Sequence, residues 1–325
     1  MKLSQLQQFN PITIQCHDNP DADALASGFG LYTYFKDKGK DVRLVYAGSY
    51  QIQKTNLTLM VDKLNIPVVY LRDTEIPVRG LLITTDCQYG AGNVTHMSAE
   101  NVAIIDHHQV EIKDISLAEI CPDFGSCSTL VWKMMKEEGY SFDGKADLQT
   151  ALFYGLFSDT NQLSEICNPV DMEMRDSLLY DRRLINLFRN SNISLKELQI
   201  AGMALRHHIY NEEYQYAIVK ANPCDPNILG LIGDFMIQVN EVLICVVYTV
   251  LAEGIKFSVR SCIKEVRADE LASFLAGDAG SGGGHMDKAA GFIQAEKWDE
   301  RYKEKISEAY FNEQIKEYLA GKGRN

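Results

Sequence analysis

Hydrophobic and polar positions follow two different patterns along the first half of this chain. Short apolar runs alternate with longer segments whose apolar residues recur at helical spacing. The short runs predict buried strands at 11–16, 42–46, 68–71, 81–85 and 102–105. The longer segments predict helices at 22–37, 126–138, 146–157 and 171–189. Strands that alternate with helices are typical of an α/β fold with a largely parallel sheet flanked by helices.

A polar run at 189–194 separates this half from a second set of elements. The pattern there predicts strands at 214–220, 242–250 and 255–260, and helices at 227–238 and 268–275. The tail at 298–319 is charged and amphipathic, with Trp298, Tyr302 and Ile306 at helical spacing. We therefore predict a first domain at 1–190, a connecting segment at 191–210 and a smaller C-terminal α/β domain at 211–325.

Acidic residues and histidines cluster directly after predicted secondary-structure elements. They follow the strands at 11–16, 81–85 and 102–105, and one more aspartate follows the helix at 146–157. Because the carboxyl ends of parallel strands meet at one edge of a sheet, we expect these side chains to lie close together. The candidates are His17, Asp21, Asp23, Asp86, Asp106, His107, His108 and Asp159.

Each of these aspartates has an ordinary role available to it. Asp21 is placed to cap the helix at 22–37, and Asp86 could form a turn. Capping accounts for neither Asp23 nor His17, however, and the same residue types recur at the other strand ends. Carboxylates and imidazoles together suit Mn²⁺ or Mg²⁺. Two such ions about 3.5–4 Å apart can activate a water and hold a phosphoryl group for its attack, which predicts a phosphoester hydrolase.

A glycine run at 282–284, followed by His285, is the most distinctive feature of the second half. A flexible linker would have the same composition. The residues after it, 286–292, have the pattern of a helix start, where small residues let backbone N–H groups approach a phosphate. We therefore predict an anion pocket at a helix N-terminus here.

Composition and charge indicate which kinds of molecule the protein is able to bind. The chain has 325 residues, 46% of them hydrophobic, and a formal net charge of −12. That charge disfavours binding to a long duplex nucleic acid, although a short phosphorylated nucleotide remains compatible because bound divalent ions would offset part of it. No apolar run is long enough to cross a bilayer, no signal-peptide pattern precedes residue 16, and the eight cysteines are scattered. We expect a cytoplasmic protein with reduced thiols and no membrane partner.

Five motifs, taken in order, resemble those of the DHH phosphoesterases that carry a C-terminal DHHA1 domain. They lie at 17–23, 84–86, 106–108, 158–160 and 282–285, and the resemblance spans nearly the whole chain. Within that superfamily the chain is most similar to the nanoRNase/pAp phosphatases, which trim short oligonucleotides and dephosphorylate 3′-phosphoadenosine 5′-phosphate (pAp). The resemblance implies a DHH catalytic domain at 1–190, a DHHA1 substrate-binding domain at 211–325 and a phosphodiesterase or phosphatase activity.

The resemblance also implies which residues bind metal. It implies two Mn²⁺ ions, for which Mg²⁺ or Co²⁺ could substitute. The ligands would be His17 and Asp21 on one ion, Asp23, His107 and Asp159 on the other, and Asp86 on both.

The remaining implied roles concern the substrate. His108 would contact the scissile phosphate and protonate the leaving group, and Asp106 would orient the histidine pair. The substrate's nucleotide or terminal phosphate would be received in the second domain by Arg260, Gly283, Gly284 and His285.

One departure and several rival functions stay open at this stage. Many relatives follow the last aspartate with Thr-Gly and an aromatic residue, whereas this chain has Thr160, Asn161, Gln162 and Leu163. A cyclic or linear dinucleotide phosphodiesterase is one alternative. An inorganic pyrophosphatase would share the metal motifs but not the glycine run, and a nucleotide sensor would bind without turnover. The sequence leaves a homodimer open.

Overall fold

The computed structural model describes residues 1–110, 112–166, 168–191, 193–224, 226–297 and 308–322. The chain divides into two compact units, Met1–Asn192 and Ile193–Asn325. Each unit has its own six-stranded sheet and its own hydrophobic core.

The sheet of the first unit is entirely parallel, and its strands have the order β3-β2-β1-β4-β5-β6. The strands are β1 (Ile12–Cys16), β2 (Val42–Tyr46), β3 (Val68–Tyr70), β4 (Leu81–Thr85), β5 (Val102–Asp106) and β6 (Leu117–Ile120). The helices are α1 (Leu3–Leu6), α2 (Ala22–Asp37), α3 (Thr55–Lys63), α4 (Cys127–Glu137), α5 (Ala146–Asp159), α6 (Pro169–Ser177) and α7 (Arg182–Asn190). The predicted α/β class is confirmed.

The central strands are buried on both faces, as their continuous apolar runs require. Every residue of β1 and of β4 is buried. Such strands need helices on both sides, and they place their carboxyl ends at one edge of the sheet. The pattern therefore fixes where the residues that follow β1, β4 and β5 must lie.

Close packing of α2 against α4 and α5 brings their polar residues together. A Cβ on Gly155 of α5 would lie 2.2 Å from Ser128 Oγ and 2.9 Å from Asp23 Oδ1. No side chain fits there, so a glycine is required for α5 to approach these two groups. The close packing of α5 at Gly155 helps to bury Asp23.

The single helix predicted at 171–189 is wrong, because the structure has two helices, α6 and α7, with an extended break between them. Asp181 caps α7 by accepting a hydrogen bond from the Arg183 amide at 2.8 Å. Within the break, the Leu179 amide donates to Gln149 Oε1 at 2.9 Å and the Asp181 amide donates to Thr150 Oγ1 at 3.0 Å. These bonds to α5 replace helical ones.

Three elements of the first unit, α1, α3 and β6, were not predicted from the apolar pattern. Strand β6 has only half-buried residues, and α3 has few buried ones. Helix α5 also extends two residues beyond the predicted end at 157, so that Asp159 is its last residue. Strand-edge and surface elements give weak periodicity because only part of their surface is buried.

The second unit has a mixed sheet with the order β11-β12-β10-β9-β8-β7, in which only the β8–β9 pair is parallel among the described pairs. The strands are β7 (Ile209–Asn211), β8 (Tyr216–Ala221), β9 (Ile244–Leu251), β10 (Gly254–Ser261), β11 (Gly280–Gly284) and β12 (Lys288–Gln294). The helices are α8 (Leu195–Leu205), α9 (Pro226–Met236), α10 (Ala268–Ala276) and α11 (Glu308–Lys322). Trp298, Tyr302 and Ile306 lie outside the described residues.

The helix start predicted at 286–292 is wrong, because this segment leads into β12, which pairs antiparallel with both β10 and β11. Ala289 and Ile293 lie in the core of the unit, and a Cβ on Gly291 would lie 2.2 Å from the buried Phe257 ring. Every second residue therefore faces the core, as in a strand. The glycine run itself forms β11. A Cβ on Gly282 would lie 2.3 Å from the Ala272 carbonyl oxygen, so glycine lets β11 lie directly on α10.

None of the helices that the structure describes has both the length and the apolar character needed to cross a membrane.

Candidate metal centre

The structure brings the predicted ligands of the first unit together at the carboxyl edge of its sheet. His17 follows β1, Asp21 and Asp23 flank the start of α2, Asp86 follows β4, His107 follows β5 and Asp159 ends α5. The donor atoms form two groups, each with its atoms within 4.8 Å of one another. The groups are His17, Asp21 and Asp86, and Asp23, Asp86 and His107.

Asp86 belongs to both groups because its two oxygens face different histidines. Oδ1 lies 3.3 Å from His107 Nε2, and Oδ2 lies 3.7 Å from His17 Nε2. A carboxylate placed in this way is able to bridge two cations. The carboxyl is also buried, so water does not compete for it.

His107 and His17 each face further carboxylates. His107 Nε2 is 3.2 Å from Asp159 Oδ2 and 3.8 Å from Asp23 Oδ2. His17 Nε2 is 4.0 Å from Asp21 Oδ1. The structure thus gathers all six predicted ligands into one cluster of imidazoles and carboxylates.

The hydrogen bond on the other side of the His107 ring determines what Nε2 can do. His107 Nδ1 lies 3.1 Å from the Phe124 carbonyl oxygen, which only accepts hydrogen bonds, so Nδ1 carries the proton. In the neutral ring Nε2 then presents a lone pair to three carboxylates. Asp86 Oδ1 is buried and has no hydrogen-bond partner among the described residues. Lone pairs that face one another need a proton or a metal ion between them, and this set of imidazole and carboxylate donors fits divalent metal ions.

The pKa values of the buried acids also indicate that a cation would stabilise this cluster. Burial, together with repulsion from Asp159, raises the pKa of Asp23 to about 7. Burial and the charges of Asp23 and Asp21 raise the pKa of Asp86 well above its ordinary value. Burial lowers the pKa of His107, but Asp159 and Asp23 raise it by more. Divalent ions would stabilise the ionised carboxylates that the protein alone disfavours.

The stabilisation of this protein by Mn²⁺ is expected to be larger at about pH 8 than at about pH 5. The pKa of Asp23 is about 7 in the folded protein, against an ordinary value of 3.8, so its ionisation removes stability as the pH rises between these values. A bound cation removes that cost. Thermal melts at both pH values, with and without Mn²⁺, measure the effect, and a Tm increment that is no larger at the higher pH would contradict it.

Helix α4 holds Asp23 in place from its N-terminus. Its amides at Cys127 and Ser128 donate to Asp23 Oδ2 and Oδ1, at 2.6 Å and 2.9 Å. The Ser128 hydroxyl donates to Asp23 Oδ1 as well. A helix N-terminus stabilises a carboxylate, and Oδ2, which accepts only the bond from Cys127, retains a second lone pair for a metal. Ser128 was not predicted as a functional residue.

Asp106 does not join the ligand groups around His17 and His107 but supports the histidine pair. Its Oδ1 accepts hydrogen bonds from the His107 amide at 2.9 Å and from His108 Nδ1 at 2.8 Å. Its Oδ2 accepts one from Gln88 Nε2 at 2.8 Å. Although burial raises the pKa of Asp106, the hydrogen bond from His108 lowers it to about 2. Gln88 is a further residue that the sequence did not reveal, because a glutamine two positions after Asp86 carries no motif.

Several residues beside the site adopt left-handed backbone conformations. Asp86 has φ 59°, and Asn161, Gln162 and Leu163 have φ 46°, 59° and 72°. For residues other than glycine this conformation costs about 1–2 kcal/mol each. The position at which many relatives have glycine, Asn161, therefore needs the conformation that glycine favours, and asparagine tolerates it better than most residues.

The predicted substrate-binding residues of the second unit lie on its sheet. Arg260 is the penultimate residue of β10 and lies opposite Lys288 of β12. Its guanidinium donates to Asp234 Oδ1 at 2.6 Å and to Ser258 Oγ at 2.9 Å. Gly283 and Gly284 lie on β11, and the His285 amide donates to the Lys288 carbonyl oxygen at 2.7 Å. Arg260 thus already has a carboxylate partner, which a substrate phosphate would have to displace or share.

Comparison with known proteins yields a family and a fold. Residues 11–156 match the DHH family, N-terminal domain. An uncharacterized protein of Methanocaldococcus jannaschii is 24% identical over 298 residues, which are 90% of this chain and 60% of that protein. A probable manganese-dependent inorganic pyrophosphatase of Streptococcus thermophilus is 28% identical over 148 residues, which are 44% of this chain and 46% of that protein. The chain therefore spans about half of these curated relatives.

The fold as a whole has a counterpart among solved structures. The crystal structure of an exopolyphosphatase-related protein from Bacteroides fragilis superposes with a TM-score of 0.76. The superposition covers 99% of this chain and 96% of the Bacteroides fragilis chain, at 17% sequence identity. The two proteins therefore share a fold. The matched residues 11–156 contain β1 to β5 and every predicted ligand except Asp159. The first unit of this chain contains a DHH family domain.

Proposed function

We propose that this protein is a phosphoester hydrolase that uses two divalent ions, with Mn²⁺ as the preferred metal and Mg²⁺ or Co²⁺ as substitutes. The position of Asp86 carries the proposal, because its two oxygens face His107 and His17 from the centre of two donor groups. Two ions, when bound there, supply Lewis acidity and activate a water for in-line attack on phosphorus.

His108 is the residue proposed to protonate the leaving group. Its ring is partly exposed, and its Nδ1 donates to Asp106, so that Nε2 is the nitrogen that would face a substrate. Burial lowers the pKa of His108, but the hydrogen bond to Asp106 raises it to about 9. The ring therefore carries a proton at neutral pH, which it can give to the departing oxygen.

Short oligoribonucleotides and pAp are the proposed substrates. The motif order of the nanoRNase/pAp phosphatases and the net charge of −12 support short phosphorylated nucleotides over a long duplex. The second unit would supply the contacts to the nucleotide through Arg260, Gly283, Gly284 and His285.

Pyrophosphate hydrolysis is the second candidate, since one relative is a probable manganese-dependent inorganic pyrophosphatase. The match to that protein covers only 46% of its length. Cyclic and linear dinucleotides remain further alternatives within phosphodiester chemistry.

Product analysis on a substrate panel tests these proposals. The purified protein with Mn²⁺ would be given pAp, ribonucleotides of two to five residues, cyclic and linear dinucleotides, a longer RNA and pyrophosphate. Release of mononucleotides from short RNA, or of AMP from pAp, is the expected result. Turnover of pyrophosphate alone would replace the substrate proposal, and hydrolysis of no compound would favour a nucleotide sensor.

A further inference from the structure

A buried carboxylate outside the ligand set, Asp171, lies behind the metal centre. It is the third residue of α6, where an acid would ordinarily stabilise the helix from the surface. Here, however, the side chain is fully buried. Its Oδ2 accepts a hydrogen bond from the Gly125 amide at 2.9 Å. Its Oδ1 is buried without a hydrogen-bond partner among the described residues, which is an unfavourable arrangement for a carboxylate oxygen.

The segment that Asp171 contacts, 124–126, touches the proposed ligand His107 and leads directly into the two residues that bind Asp23. The Phe124 carbonyl oxygen accepts the hydrogen bond from His107 Nδ1 and so fixes which nitrogen faces the carboxylates. Ser126 caps α4, whose first amides donate to Asp23. A displacement of this segment would therefore move His107 and Asp23 together.

A third proposed ligand, Asp159, is linked to the 124–126 segment by side-chain packing. Thr160, the neighbour of Asp159, is buried, and a Cβ on Gly125 would lie 2.7 Å from Thr160 Cγ2 and 3.0 Å from Asp171 Oδ2. The 124–126 segment is thus enclosed between Asp171 and the end of α5. In the part of the chain that the structure describes, Asp171 forms no hydrogen bond with His17 or Asp21.

We propose that Asp171 is a positioning residue for one of the two metal ions, the one held by Asp23, His107 and Asp159. The inference rests on the proposed function. Asp171 would act through the 124–126 segment and the start of α4, and would not touch metal or substrate. Burial raises the pKa of Asp171 despite hydrogen bonds from Thr129 and Gly125, a cost that structural capping alone would not require.

A titration of the full-length protein with Mn²⁺, monitored by calorimetry, tests this proposal. The wild type should bind two ions. In Asp171→Ala, one of the two affinities should fall about 10- to 100-fold, as is typical when a partner of a metal ligand is removed, while the other stays within error. Asp171→Asn should restore most of the lost affinity, because its amide oxygen can accept from the Gly125 amide. Asp176→Ala removes an exposed carboxylate from the same helix and should change neither affinity.

The outcomes separate this inference from the proposed function. Two unchanged affinities in Asp171→Ala, or an equal loss in both, would overturn the positioning role. A wild type that binds no Mn²⁺ would overturn the proposed function itself. If Asp171→Ala does not fold, Gly125→Ala serves in its place, since the added methyl group displaces the same segment and should weaken the same ion selectively.

Discussion

Asp86→Asn is expected to lower kcat for the hydrolysis of short phosphodiesters by on the order of 10³-fold or more. The substitution keeps the shape of the side chain but removes the charge and one of the two oxygens that face His107 and His17. Metal ions at such a centre contribute several kcal/mol to the transition state, and each 1.36 kcal/mol corresponds to about tenfold in rate. Initial rates on a ribodinucleotide with saturating Mn²⁺ measure the loss.

The matched control is Asp73→Asn, which changes an exposed aspartate in the same unit. It should hydrolyse the substrate at the wild-type rate. If Asp86→Asn also kept that rate, Asp86 would not bridge two ions. If it changed nucleotide affinity in a protein without turnover, the chain would be a sensor.

His108→Gln is expected to lower kcat by about 10²- to 10⁴-fold on ribonucleotides, and by far less on a p-nitrophenyl phosphoester. A ribose oxygen needs a proton in order to leave, whereas p-nitrophenolate is stable without one. The substitution leaves in place the two groups of possible ligands in which Asp86 is joined by His17 and by His107. Rates for both substrates, together with Mn²⁺ affinity, distinguish loss of an acid from loss of a metal.

Two further variants serve as controls for His108→Gln. His208→Gln changes an exposed histidine of the second unit and should leave both rates unchanged. His107→Gln removes a proposed ligand, so both rates and the Mn²⁺ affinity should fall together. Equal losses on the two substrates in His108→Gln, with normal metal binding, would show that His108 positions the phosphate rather than donating a proton.

The part of the fold that the sequence predicts well is the part that is buried on both faces. Strands β1, β4 and β5 are continuous apolar runs, and the residues directly after them form the centre. The rule that parallel strands present their carboxyl ends at one edge then brings His17, Asp86 and His107 together without any knowledge of loops. Among the elements that carry the proposed ligands, only the end of α5 needed correction, because this helix extends to Asp159.

What the sequence did not predict depends on contacts between distant residues. The glycine run reads as a turn before a helix, but it is a strand because Gly282 packs against the α10 backbone. The break between α6 and α7 is stabilised by Gln149 and Thr150 of another helix. No local pattern contains this information.

The supporting residues of the centre were missed for a related reason. Gln88, Ser128 and Asp171 act through hydrogen bonds with Asp106, Asp23 and the Gly125 amide. Such residues carry no spacing of their own, since their role is set by what lies opposite them in three dimensions. A buried polar residue close to a motif in space is the signal that identifies them, and that signal requires a structure.

The central claim is that two divalent ions, bound around Asp86, hydrolyse phosphoesters. Its most direct test is to follow ribodinucleotide turnover while Mn²⁺ is titrated into the metal-free protein. The account predicts no turnover without metal and a rate that reaches its plateau when two ions are bound per chain. Turnover that does not depend on metal, or none with two ions bound for any phosphoester in the panel, would contradict it.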